Sequence, residues 1–218
     1  MKDVVVLIHG LGRTARSMSR LALFLNRAGF ETQLFSYQSR QSTLEQVTTG
    51  LAATIEALRL KHARIHFVTH SLGGIILRSF LGTYPAPPNW IGQSVMLAPP
   101  HHGSEIIDFW RGGKLRYAYF KAFMGKLALS LHTGSDSLPN QLSKCEAHRI
   151  GIIAGTRSIE FWFNPLFKTT HDGKVSIAST HLHARHHHIE THATHTFIMN
   201  HDSTRQQVLN FLQHGHFA

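Results

Sequence analysis

Cysteine is nearly missing from this 218-residue chain: Cys145 stands alone, so no disulfide can form within it. A framework of bridges is thereby excluded, and the count suits a reducing compartment. Long apolar runs are missing too. No window nears the roughly eighteen consecutive apolar residues that a membrane span needs. The opening "MKDVVVLIHG" has too short an apolar run for a secretion signal and reads directly as a buried strand. These absences lead to the expectation of a soluble, cytoplasmic protein. Acids are scarce as well, 12 against 22 lysines and arginines, for a net charge of +10. Such an excess points toward nucleic acid or an anionic surface. The cations are scattered, however, without a basic helix or an aromatic RNA-binding pattern, and no nucleic acid partner is expected. A partial concentration, Arg111, Lys114, Arg116, Lys121 and Lys126, is interleaved with Phe109, Trp110, Tyr117, Tyr119, Phe120 and Phe123. It is expected to be a solvated face over a core stripe, with weak contact to a membrane surface as the alternative.

What is present is core-forming. A hydrophobic content of 42%, a charged content of 16% and three tryptophans describe a folded chain, long enough for one sizeable core and read as a single domain over residues 1–218. "DVVVLI" (3–8) is a continuous apolar run of strand length, as in a parallel strand covered on both faces. Met18, Leu21 and Leu25 share a helix face that Gly29 terminates. "ETQLFSY" (31–37) alternates like a strand. Ser42 and Glu45 have capping-box spacing ahead of Leu44, Val47, Leu51, Ile55 and Leu58, which recur as one helix face. "RIHFVT" (64–69), "SVMLA" (94–98), "RIGIIAG" (149–155), "KVSI" (174–177) and "HHIET" (187–191) read as further strands. "LGGIILRSFL" (72–81) reads as a helix, and a last helix starts near Asp202, its expected N-cap. Residues 103–149 break the rhythm and read as a mostly helical excursion. Such alternation implies a mostly parallel, twisted sheet with helices on both faces and functional groups at the strands' carboxyl ends. His9-Gly10, Ser71 and Pro99-Pro100-His101 all fall at such ends.

Residues 67–74 read "FVTHSLGG". A serine hydroxyl is a poor nucleophile at neutral pH, so acyl transfer needs it exposed and set beside a histidine base that a third group orients. A tight strand-to-helix elbow gives the exposure and needs small residues two before and two after the serine. Gly73 meets the second requirement. Thr69 stands where glycine is usual, so the elbow must accommodate extra bulk.

Together with "VVVLIHGLG", "APPHHGSE", "HDGKVSI" and "HTFIM", this elbow resembles the α/β-hydrolase superfamily, in particular its small bacterial lipase and esterase-like members. The likeness runs over almost the whole chain, in the order serine, acid, histidine. It implies an α/β-hydrolase fold with the excursion 103–149 as a short helical cover over the active-site edge. It also implies a catalytic triad of Ser71, Asp172 and His195, with backbone N–H groups of Leu11 and Leu72 as the oxyanion hole. His9 is expected to shape the oxyanion loop. Asp202 and Glu160 are the competing acids and His201 the competing base; the position of His195 immediately before "TF" favours it. No cofactor is implied, and the implied substrate is an acyl ester, small molecule or lipid. The chain thus reads as an esterase or lipase-like hydrolase working through an acyl-enzyme, with a thioesterase or an acyltransferase on the same triad as alternatives. Trp110, Phe161, Trp162, Phe163 and Phe167 are candidates for lining an acyl pocket. The modest cover leads to the expectation of short or medium acyl chains.

Histidine is abundant, 19 in all, and seven fall within residues 181–195: His181, His183, His186, His187, His188, His192 and His195. Alternation along a strand would pair His181 with His183, and His186 with His188, as metal ligands. No carboxylate or cysteine completes a metal spacing, so exposed histidines on an edge strand are expected and no metal site is assigned. The rival from another class is a hydrolase-fold protein that binds metal through this stretch, its elbow idle. Cys145 reads as packing.

Overall fold

The computed structural model describes residues 2–142, 144, 145 and 147–218. In chain order its elements are β1 (Val4–Ile8), α1 (Ser19–Arg27), β2 (Glu31–Phe35), α2 (Leu44–Arg59), β3 (Ile65–His70), α3 (Leu72–Leu81) and β4 (Ile91–Leu97). They continue with α4 (Glu105–Arg111), α5 (Lys114–Met124), α6 (Lys126–Leu129), α7 (Leu138–Gln141), β5 (Ile150–Arg157), α8 (Ile177–Thr180), β6 (His187–Thr194) and α9 (Asp202–His214). The strands form one sheet in the order β2-β1-β3-β4-β5-β6, with every described pairing parallel.

All five residues of β1 are buried, as a strand covered on both faces requires. Val4, Val6 and Ile8 pack toward α2 and α3, with Val47, Leu51, Ile55, Ile75 and Ile76. Val5 and Leu7 face the other way, against Leu21 and Leu25 of α1 and Val208 and Phe211 of α9. Each fully buried aliphatic side chain stabilises the fold by about 1.5–3 kcal/mol. Register then sets the site. Ile8 pairs with Thr69, and Thr69 with Met96, so β1, β3 and β4 end level with one another.

Several boundaries differ from the sequence reading. The capping box of α2 is Thr43 with Gln46, one residue later than expected: Thr43 Oγ1 accepts from Gln46 N at 3.2 Å, and Gln46 Oε1 accepts from Thr43 N at 2.9 Å. Ser42 is still in the preceding turn, donating its N–H to Gln38 O. His201, not Asp202, is the N-cap of α9, and Asp202 pairs instead with Arg205. Residues 174–177 are not a strand. The N–H groups of Lys174 and Val175 donate to Asp172 Oδ1 at 3.0 and 2.9 Å, which takes them out of any ladder, and α8 follows at once. The excursion is helical as expected, in α4, α5, α6 and α7. Its core stripe is not as expected, because Phe120 is the one buried residue of α5.

Candidate active site

Ser71 sits between β3 and α3 at φ 53° and ψ −121°. A side chain at positive φ is strained, and the neighbouring packing holds it there. At Gly73 a Cβ would stand 2.6 Å from Ile8 O and 3.0 Å from His9 O, so the start of α3 can lie against the end of β1 only with glycine here. Gly74 has a second role. A Cβ there would meet Pro99 at 2.8 Å and the Thr69 hydroxyl at 3.4 Å, so this glycine makes room where the elbow carries threonine.

Three sequence-expected side chains meet at this edge. His195 follows β6 directly, and its Nε2 lies 2.9 Å from Ser71 Oγ. Its Nδ1 lies 2.7 Å from Asp172 Oδ2. Asp172 is buried, and its other oxygen accepts the two amides of the 172–175 turn, so the carboxylate is fixed in orientation before it meets the imidazole. That arrangement makes Nδ1 the donor and leaves the Nε2 lone pair to accept from the serine hydroxyl. The competing residues lie elsewhere. His201 is exposed with Nδ1 on Ser203 Oγ, Asp202 is on the surface with Arg205, and Glu160 accepts from Lys174 Nζ at 2.8 Å.

Leu72 is the first residue of α3, where a backbone N–H has no acceptor within its helix. Leu11 lies in the turn after β1 and lines the same cavity as Ser71. His9 shapes that turn. It is buried, stacks on Tyr37 at 4.2 Å, and its own carbonyl accepts from Tyr37 Oη at 2.8 Å, while Ser39 Oγ accepts from Gly12 N at 2.9 Å. Burial lowers the pKa of His9 and raises that of Tyr37, so both rings stay neutral.

Sequence reasoning missed His70, which lies in the elbow itself. Its Nε2 donates to the backbone carbonyl of His195 at 2.9 Å. Its pKa is held well below the ordinary histidine value, first by burial and then by the positive charge of a protonated His195 and of Arg13. The residue next to a motif serine has no spacing signal, and its partner is 125 positions away.

Above Ser71 is a cavity of about 360 Å³, lined on its apolar side by Ile107, Trp110, Phe120, Met124, Leu131 and Phe163. Arg13, Arg40 and Lys174 also reach it. Of the five aromatics singled out from sequence, Trp110 and Phe163 line this space. Phe161 and Trp162 are exposed, and Phe167 stacks on His171. The histidine-rich stretch runs into β6 at the sheet edge, with His187 and His192 exposed. Its pairing differs from strand alternation because residues 181–186 are a loop. His181 Nδ1 lies 3.2 Å from His186 Nε2, His181 stacks on His188, and His183 meets His102. Among the described residues no group of three or more such side chains is set to hold a metal ion. Cys145 is buried in the core beside Arg78, as packing would have it.

Comparison with solved structures supports the α/β-hydrolase fold. The mature lipase BlEst2 of Bacillus licheniformis superposes with a TM-score of 0.69 at 18% identity, over 91% of this chain and 86% of that one. Phospholipase PlaB of Legionella pneumophila gives 0.72 at 18%, covering 98% of this chain, which spans 60% of the phospholipase. A metagenomic carboxyl esterase gives 0.65 at 20%, over 90% and 65%. At such identities the likeness speaks for the fold alone. No curated protein matches the sequence. The family model described as palmitoyl protein thioesterase does match, over residues 4–142, a span that takes in β1, the turn after it, the elbow at Ser71 and helices α4 to α7. By that match the chain belongs to the palmitoyl protein thioesterase family, built on the α/β-hydrolase fold.

Proposed function

We propose that this protein is a serine hydrolase of acyl esters, and that the line from Asp172 through His195 to Ser71, at 2.7 and 2.9 Å, is its catalytic triad. That line is the observation carrying the proposal. Ser71 Oγ adds to the acyl carbon while its proton passes to His195 Nε2, and Asp172 steadies the imidazolium through Nδ1–H. The N–H groups of Leu11 and Leu72 donate to the oxyanion, each worth about 3 kcal/mol in the transition state. The tetrahedral adduct collapses to an acyl-enzyme, and the leaving group departs with the proton returned by His195. Water then adds to the acyl carbon by the same route and frees Ser71.

The cavity, about 360 Å³, is near the lower end of ligand pockets. Its apolar lining suits a short or medium acyl chain better than an insoluble long-chain lipid. A second reading, a thioester in place of the oxygen ester, is favoured by the match to the palmitoyl protein thioesterase model. Both use the same nucleophile and differ in the leaving group. The test is a panel of oxygen esters and thioesters of graded acyl length, with Ser71→Ala as the blank. Turnover that peaks at short or medium length and vanishes in the blank is expected. Turnover surviving in the blank, or found for no acyl substrate, would reject the proposal and leave a hydrolase fold used for binding. Product analysis with competing acceptor alcohols separates hydrolysis from acyl transfer.

A further inference from the structure

Helix α5 is turned the wrong way for a helix that merely covers a pocket. Of its eleven residues, Phe120 alone is buried. Leu115, Tyr119 and Phe123 follow one another at intervals of four, which puts them on one stripe, and they are 87%, 63% and 55% exposed. Phe120 and Met124 of the same helix line the cavity over Ser71. Nearby, the turn that gives Phe163 to that cavity also presents Phe161 and Trp162, 71% and 60% exposed. Large apolar side chains grouped in water mark an interaction surface.

Charge says what kind of surface. From Phe109 to Lys126 the chain has five cations, Arg111, Lys114, Arg116, Lys121 and Lys126, and no acid. Arg40 joins them, its guanidinium 4.8 Å from the Phe123 ring centroid. Among the described residues none of the six forms an ion pair with a carboxylate. A second copy of the chain placed against this face would set like charges together. A nucleic acid would satisfy the cations and leave Leu115 and Phe123 in water. An anionic bilayer suits both sets at once, with apolar side chains at the acyl boundary and cations among the headgroups.

We propose that the outward face of α5, together with Phe161 and Trp162, docks on an anionic lipid surface. Docking itself does not depend on catalysis. Its consequence, that a short or medium acyl ester gathered at the lipid surface reaches the cavity without crossing bulk water, rests on the hydrolase reading above.

The test is co-sedimentation of the full chain with vesicles of phosphatidylcholine alone or mixed with phosphatidylglycerol, in a Ser71→Ala background so that no lipid is consumed. Partition into the anionic vesicles is expected to be at least about tenfold stronger, and to weaken as salt rises. Leu115→Ser, Tyr119→Ser and Phe123→Ser together should lower it by about tenfold or more. Lys114→Gln and Lys121→Gln, both at exposed positions, should each lower it by about fivefold, and they keep the test decisive should the triple variant fail to fold. Equal or no partition into the two vesicle types would overturn the proposal, as would folded variants that bind like the parent. A self-association that the triple variant abolishes would also overturn it by assigning the face to a second copy. Failure of the hydrolase reading would show in the ester panel and leave the vesicle result standing.

Discussion

The hydrogen bond from His70 to the carbonyl of His195 ties the strand that carries the serine to the loop that carries the imidazole. A neutral His70 makes that bond without placing a second positive ring 4.9 Å from a protonated His195. Replacing it with phenylalanine keeps the ring and removes the donor. His70→Phe is expected to lower kcat by about tenfold, the worth of one buried hydrogen bond in positioning, with KM nearly unchanged. His70→Gln, which restores a donor, should recover part of the loss; an equal rise in KM, or no rescue, would count against a positioning role. At this scale the elbow around Ser71 was legible from local chemistry, whereas Asp172 and His195 were legible only through the family resemblance, which supplies the order serine, acid, histidine. His70 and the room made by Gly74 were not, since each acts through a contact that only the folded chain creates.

Helix α2 shows what an element's sequence can leave open. Ser42 with Glu45 and Thr43 with Gln46 have the same spacing, and only the turn ahead of the helix decides between them. Thr43→Ala should therefore cost about 1 kcal/mol of unfolding free energy in a urea titration, and Ser42→Ala at most about 0.5 kcal/mol. The reverse order would move the cap back one residue. Residues 174–177 were misread as a strand for a different reason. Four alternating residues fit a strand, but the amides of Lys174 and Val175 are used by Asp172 and that of Ile177 by Thr170 O, so the site overrides local propensity. Helix α5 was misread because a mixture of aromatic and basic residues has the same composition whichever face is inside. The β1, β3 and α3 readings held within a residue or so, because continuous apolar runs and the elbow leave few alternatives.

Across the whole molecule, histidine burial sets a pH limit. His9, His66, His70 and His101 are buried, and burial, the leading cause in each, pushes their pKa values below the ordinary value. His188 is pushed down to about 4 by burial and then by His181 and His186. An unfolded histidine titrates near 6.5. Between about pH 6.5 and 4 the unfolded chain therefore binds more protons than the folded one, and stability falls as pH falls through that window. The melting temperature should be nearly level above pH 7 and decline steadily below 6.5, with His188→Gln removing part of the slope. A flat profile down to pH 4 would show that these rings protonate within the fold. A mostly parallel sheet with helices on both faces was readable at this scale from strand and helix alternation, but its strand order was not, and the strand expected at 174–177 is not part of it. The histidine contacts were not, because loop residues such as His181 do not follow strand periodicity.

The most direct measurement is turnover of one activated acyl ester by the wild type, Ser71→Ala, His195→Ala, the double variant and His201→Ala, each verified as folded. Members of a triad act as a unit. Ser71→Ala and His195→Ala should each lower kcat by about 10⁴-fold or more, the double variant should lose little beyond either one, and His201→Ala should keep most activity. Near-normal turnover by His195→Ala, or a collapse of activity in His201→Ala, would contradict the assignment.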